Sequence, residues 1–190
     1  MTSISVIKKD ITSLTVDAIV NAANSGLQGG GGVDGAIHAG AGPGLINECA
    51  AIIEKNGLCA TGSAVTTSAG DLPAKWIIHT VGPIWSEEGQ ERSSLLLSSC
   101  YKSALDAASN LRADSVAFSA ISTGVYGFPK KLAAPIAVSA VCSWLEAHQR
   151  AEAPSSIFLV CFDEENFRIT KAVLDRLGPN NTPWVRTEGQ

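Results

Sequence analysis

The sequence predicts an α/β protein, a three-layer α/β/α sandwich with a mixed, largely parallel central sheet. Short apolar runs rich in β-branched residues alternate with stretches of helical period. The intervening helices of roughly ten to twenty residues are long enough for parallel crossovers that cover both faces of a sheet. Abundant Ala, Gly and Ser suit closely packed layers.

Ser3–Ile7 reads as a short first strand and Ala18–Ala23 as a buried second one. Pro43 to Asn56 has helical spacing through Leu45, Ile46, Cys49, Ile52 and Ile53, and Gly57 supplies its C-terminal cap. Ser63–Ser68 and Trp76–Val81 are strands with no helix between them, so they pair antiparallel and make the sheet mixed. Ser93–Leu111 is a helix, Ser115–Ala120 a strand, Lys130–Arg150 a helix, Ile157–Phe162 a strand and Glu164–Leu177 a closing helix. No internal repeat is visible. Residues 1–178 form one expected domain; 179–190 lack apolar periodicity and are expected to be a disordered tail.

Of 190 residues, 45% are hydrophobic and 17% charged, and the net charge of −4 comes with no run of Lys and Arg. A duplex-binding face normally carries a basic stripe, so no nucleic-acid face is evident. An anionic small molecule remains a fitting ligand, because backbone N–H groups at helix starts and in turns hold phosphate without a cation. The five cysteines include no C-x-x-C pair and mostly sit in apolar surroundings, as expected of reduced thiols in a cytoplasmic protein. The N-terminal segment lacks the apolar core of a signal peptide, and no stretch approaches the ~20 apolar residues of a membrane helix. His38, His79 and His148 show no metal-ligand spacing, and neither a metal nor a cofactor is expected.

In such sheets ligands bind beyond the carboxyl ends of the strands, and the unusual chemistry lies there. Asn21-Ala22-Ala23-Asn24 ends a strand, four glycines (Gly29–Gly32) follow, and Asp34 stands where a helix begins, with His38 one turn on. Residues 30 to 35 match G-x-G-x-x-G, but the loop does not start at its strand end and the acidic residue near the expected distance, Glu54, lies in a helix. Asp34 could merely cap its helix, His38 could bond within it, and Asn21, more than Asn24, could serve the loop backbone. A second segment, Ser119-Ala120-Ile121-Ser122-Thr123-Gly124-Val125-Tyr126-Gly127, offers hydroxyls and N–H groups as an anion nest. Lacking the first glycine of G-x-S-x-G, it makes a Ser122 nucleophile with His79 or His38 remote. Asp10 follows the first strand and could accept from an adenine amino group, and Phe162 ends the last strand, where it could stack on a base.

Together these segments resemble the macrodomain family, in its hydrolase branch typified by O-acetyl-ADP-ribose deacetylases, from about Ile4 to Leu177. Gly70–Lys75 and His79-Thr80-Val81-Gly82-Pro83 add a third motif and Cys161–Asn166 a fourth. The resemblance implies that Asp10 and the Ile11 backbone hold adenine, with Phe162 against its ring. It implies that Ser122, Thr123, Gly124, Val125 and Tyr126 wrap the diphosphate, while Asn24 and Gly29, Gly30, Gly31, Gly32 and Val33 position the terminal ribose. Asp34 then activates the attacking water with Asn24 beside it, and His79 is structural. Three departures stand out: Lys9 where the family usually has Gly, Ala39 where a basic residue is common, and Phe162 where Tyr is frequent. The implied ligands are ADP-ribose or O-acetyl-ADP-ribose, with ADP-ribosylated proteins as further substrates, and the expected form is a monomer. A non-catalytic ADP-ribose reader or a regulatory docking protein would use the same pocket, and both stay open at this point.

Overall fold

Val16–Ala23 (β2) carries apolar residues on both faces, so it can be stable only with both faces covered. Among the described residues it lies inside a seven-stranded sheet, between Ala74–Val81 (β4) and Ser115–Phe118 (β5). Outside β4 runs Ala64–Ser68 (β3); beyond β5 come Ser156–Cys161 (β6), Thr2–Lys8 (β1) and the short edge strand Val185–Thr187 (β7). All neighbours pair parallel except β3 with β4, the antiparallel pair expected where no helix separates two strands. The structure is a computed structural model and describes residues 2–148, 152–177 and 185–187.

Alternation along the strands sorts side chains into two cores. Ala18, Val20, Val116, Phe118 and Ile157 face Gln90–Asn110 (α4), Lys130–Ala147 (α5) and Glu164–Leu177 (α6) through Leu97, Tyr101, Val138, Val141 and Leu174. The opposite face sets Ile19, Ala23, Ile77 and Val81 against Gly32–Ala41 (α1) and Gly44–Asn56 (α2) through Ile37, Leu45 and Cys49. Trp85–Glu88 (α3) and a 3-10 turn at Ile11–Ser13 escaped the sequence reading, because a single turn is too short to show a period. No helix among the described residues is long and apolar enough to cross a membrane. Helix α5 ends at Ala147 rather than Arg150, and residues 149–151 lie outside the described residues. Within the stretch expected to be a disordered tail, Val185–Thr187 instead pairs with Thr2–Ile4, because β1 is otherwise an open sheet edge; the rest of 178–190 lies outside the described residues.

Candidate active site

Strands β1, β2, β5 and β6 run parallel, so the segments leaving their carboxyl ends must emerge at one edge of the sheet. They line one cleft with two connected compartments that share Gly32, Val33, Ala120 and Gly124. The compartments have volumes of about 370 and 260 Å³.

The larger compartment is bordered by Asp10, Ile11 and Phe162. Asp10 caps the 3-10 turn: Oδ1 accepts from the Thr12 backbone N–H at 2.9 Å and from its hydroxyl at 2.7 Å. The Thr12 hydroxyl first, then its N–H, holds the Asp10 carboxyl below its ordinary range. Phe162 is 84% exposed, an aromatic face on which nothing stacks among the described residues. Nearby, Lys130 bonds both oxygens of Asp163 at 3.0 Å and Glu165 at 2.9 Å, so its charge is already neutralised.

Between the compartments two sets of backbone donors meet. The N-terminus of α1 has no side-chain cap, and among the described residues the N–H groups of Gly32, Val33 and Asp34 reach no backbone acceptor. The uncapped first turn is a ready anion site. In the loop after β5, the N–H groups of Ser122, Gly124, Val125 and Tyr126 are likewise without backbone acceptors. The expected nest is smaller than the sequence implied. The Thr123 N–H and hydroxyl both donate to the Ala120 carbonyl, and the Gly127 N–H donates to Gly124, because the loop closes two tight turns on itself. Ser122 sits at φ 63°, a left-handed conformation uncommon outside glycine, with its hydroxyl buried beneath Gly82. A Cβ on Gly82 would fall 2.0 Å from that oxygen, so only glycine fits there. Among the described residues the Ser122 hydroxyl has no hydrogen-bond partner, which leaves a serine nucleophile without its base.

The smaller compartment holds Asn24, Gly30–Val33 and Asp34. Asp34 is only 5% exposed. It does not cap α1, whose N-cap is Gly31; its Oδ1 instead accepts from Asn21 Nδ2 at 2.7 Å. The two asparagines have different partners. Asn24 serves the loop, donating to the Gly29 carbonyl at 2.7 Å and accepting from Gln28 N–H at 3.2 Å. Asn21 reaches across to Asp34 and also lies 3.1 Å from His79 Nδ1. The reason is strand alternation: Asn21 points into the α1–α2 face, whereas Asn24 lies beyond the strand end. A methyl on Gly30 would lie 3.4 Å from Asp34 Oδ2 and 3.8 Å from Asn24 Nδ2, so its absence leaves a small space between these two groups. Gly29 departs from its expected place. With its carbonyl held by Asn24, it borders a separate shallow groove beside His38 instead of the cleft. His38 Nε2 lies 3.5 Å from Asp34 Oδ1, one turn back in the same helix and too far for a firm hydrogen bond, and it has no other hydrogen-bond partner among the described residues.

Gly82 and Asn166 lie in the third and fourth motifs but were given no role there, and Thr67, outside every motif, joins the site through His79. Ligating atoms of His38, Cys49 and His79 lie within 4.8 Å of one another, but both ring nitrogens of His79 already have hydrogen-bonding neighbours.

The Macro domain family profile matches residues 20–137. A macro domain-containing protein of Listeria monocytogenes is 53% identical over 172 residues, covering 90% of this chain and 97% of its own. The O-acetyl-ADP-ribose deacetylase of Escherichia coli is 48% identical over 177 residues, 93% and 98% of the two chains. Among solved structures, the Oceanobacillus iheyensis macrodomain with ADP superposes with a TM-score of 0.83 at 40% identity, covering 90% of each chain. The Trypanosoma brucei macrodomain in complex with ADP-ribose gives 0.80 at 38% identity, covering 90% of this chain and 68% of that one.

Proposed function

The chain belongs to the Macro domain family, and on that premise we propose that it binds ADP-ribose and hydrolyses an acyl ester on the terminal ribose. The observation that carries this reading is the Asp34 carboxylate. It is buried, tethered through one oxygen, and its other oxygen borders the small space beside Gly30 and Asn24. A plain binding pocket has no need of a desolvated carboxylate where an anionic ligand must sit.

ADP-ribose spans both compartments in this reading. Asp10 and the Ile11 backbone take adenine, with Phe162 on the ring, as they do under the family resemblance. The open N–H groups of the α1 N-terminus and of Ser122 and Gly124–Tyr126 meet the diphosphate, which is how a chain of net charge −4 holds a dianion. The terminal ribose reaches Asn24 and Gly30–Val33. Asp34 takes a proton from a water in the space beside Gly30, and the water oxygen bonds to the ester carbonyl carbon. Backbone N–H groups of the glycine loop and the second hydrogen on Asn24 Nδ2 face the negative charge that develops. The bond from that carbon to the ribose oxygen breaks, and the ribose oxygen takes the proton from Asp34. Free ADP-ribose and a carboxylic acid result. The same chemistry serves O-acetyl-ADP-ribose and ADP-ribose esterified to acidic side chains of proteins.

Two cores on one sheet support a single domain over residues 1–178. Five free cysteines, four of them buried, support a cytoplasmic setting.

The test is incubation of the purified protein with O-acetyl-ADP-ribose and, separately, with a Glu-linked ADP-ribosylated protein, beside the Asn24→Ala/Asp34→Ala double variant. The expected result is wild-type turnover that falls roughly 10²–10⁴-fold in the variant while ADP-ribose affinity stays within a few-fold. Tight ADP-ribose binding without turnover of either ester would make the protein a reader and remove both catalytic roles.

A further inference from the structure

The ester hydrolysis proposed above needs Asp34 to hold one oxygen still while it presents the other to water. Within its own helix, among the described residues, Oδ1 meets only the long 3.5 Å approach of His38 Nε2, and the side chain makes no capping bond. We propose that His79, in the tautomer with hydrogen on Nε2, is a positioning residue that holds Asn21 through Nδ1 and thereby fixes Asp34.

The proton assignments follow one from another. An ionised carboxylate only accepts, so the atom 2.7 Å from Asp34 Oδ1 must be the Asn21 amide nitrogen. That nitrogen also lies 3.1 Å from His79 Nδ1, which must therefore present a lone pair. On the other side of the ring, Nε2 is 2.9 Å from Thr67 Oγ1. The Thr67 hydroxyl hydrogen goes to the Ser68 carbonyl at 3.0 Å, so Oγ1 is free to accept and Nε2 carries the hydrogen. A single arrangement satisfies every link from the Ser68 carbonyl to Asp34.

Sheet geometry makes the chain rigid. Asn21 and His79 are directly opposite on β2 and β4; on β3 Thr67 pairs with Ile77, one diagonal step from His79. Asn21 and His79 are fully buried and Thr67 nearly so. Burial first, and then His38 beside it, pushes the His79 imidazole down to about 4 against the opposing pull of Glu48, so the ring is neutral at ordinary pH. The remaining near neighbour is Cys49, whose sulfur is 4.0 Å from Nε2. One detail argues against mere packing. Asn21 Oδ1 is buried with no partner, a cost that an apolar side chain would avoid, so the amide is justified by what its nitrogen holds.

Three variants and two NMR readouts test this. In wild-type protein, nitrogen-15 NMR of the imidazoles should show His79 as the Nε2–H tautomer; an Nδ1–H tautomer overturns the proposal with no variant needed. His79→Leu should lower kcat for O-acetyl-ADP-ribose by roughly 10–100-fold, the usual range for a residue that orients a functional group, with ADP-ribose affinity within about threefold. His79→Asn places an acceptor where Nδ1 was and should recover most of that loss. Thr67→Val, close in shape, should cost several-fold in kcat. The Asn21 side-chain amide resonances should shift in His79→Leu and return in His79→Asn. Unchanged kcat in a folded His79→Leu, or equal losses in His79→Leu and His79→Asn, would sink the positioning role. If wild-type protein does not turn over the ester, the hydrolase reading fails, while the His79 tautomer and the Asn21 resonances still decide the relay.

Discussion

Asp10 and Asp34 line the same cleft, yet they are built in opposite ways. Asp10 is exposed, and its partner is two residues away, so a local turn makes it without help from the rest of the fold. Asp34 is buried; its partner Asn21 is 13 residues distant, and the next link, His79, lies 58 residues from Asn21 on another strand. The end proposed to recognise a base can rest on surface loops, because a solvated hydrogen bond tolerates small movements. The end proposed to do chemistry rests on the sheet, because a proton acceptor must be held within a fraction of an ångström.

Acid should separate the two ends most widely. The His79 imidazole is depressed from 6.5 to about 4 by folding, so the unfolded chain binds more protons over that interval. Stability therefore is complete above pH 6.5 and falls as pH drops toward 4, by on the order of 3 kcal/mol from this group. Urea midpoints of wild type and His79→Asn should show a steeper fall between pH 6.5 and 4 in the wild type; parallel curves would mean the ring is not buried neutral.

Next in size is Gly35→Ala. Its Cβ would lie 2.4 Å from the Gly30 carbonyl oxygen, so the glycine loop must shift. A displacement near 1 Å at a catalytic centre costs up to about 10²-fold, and kcat should fall roughly 10–100-fold while ADP-ribose affinity falls less. Equal loss in both would show that the loop serves binding alone.

Asp10→Ala should raise the ADP-ribose Kd roughly tenfold, the worth of one charge-assisted hydrogen bond, and leave kcat at saturating substrate unchanged. The lost cap should also cost about 1 kcal/mol of stability. A fall in kcat would erase the division between the two ends. The smallest effect is expected from Phe162→Ala. Stacking is worth about 0.5–1.5 kcal/mol, a few-fold in Kd by calorimetry, and a side chain 84% exposed should change stability by less than about 0.5 kcal/mol.

The same division governs what was legible in the sequence. Elements with a strong local period were readable to within a few residues: α6 falls on Glu164–Leu177 as expected, and α2 ends at Gly57, whose φ of 78° suits a glycine. Four polar segments after four parallel strands were enough to place a site at one sheet edge. Residues whose contacts lie near their own place in the chain, such as Asp10 and the glycine loop, announce themselves by type and spacing. Asn21, Thr67 and His79 could not be read that way. Which face Asn21 points to depends on strand phase, and that Thr67 lies beside His79 depends on the β3–β4 register. Composition and pattern determined the layers, the edge that carries the cleft and the candidate residues along it. Only the packed sheet decided that Asn24 would hold the loop and Asn21 would hold Asp34, because hydrogen bonds between distant residues are set by register and burial and leave no mark on local sequence.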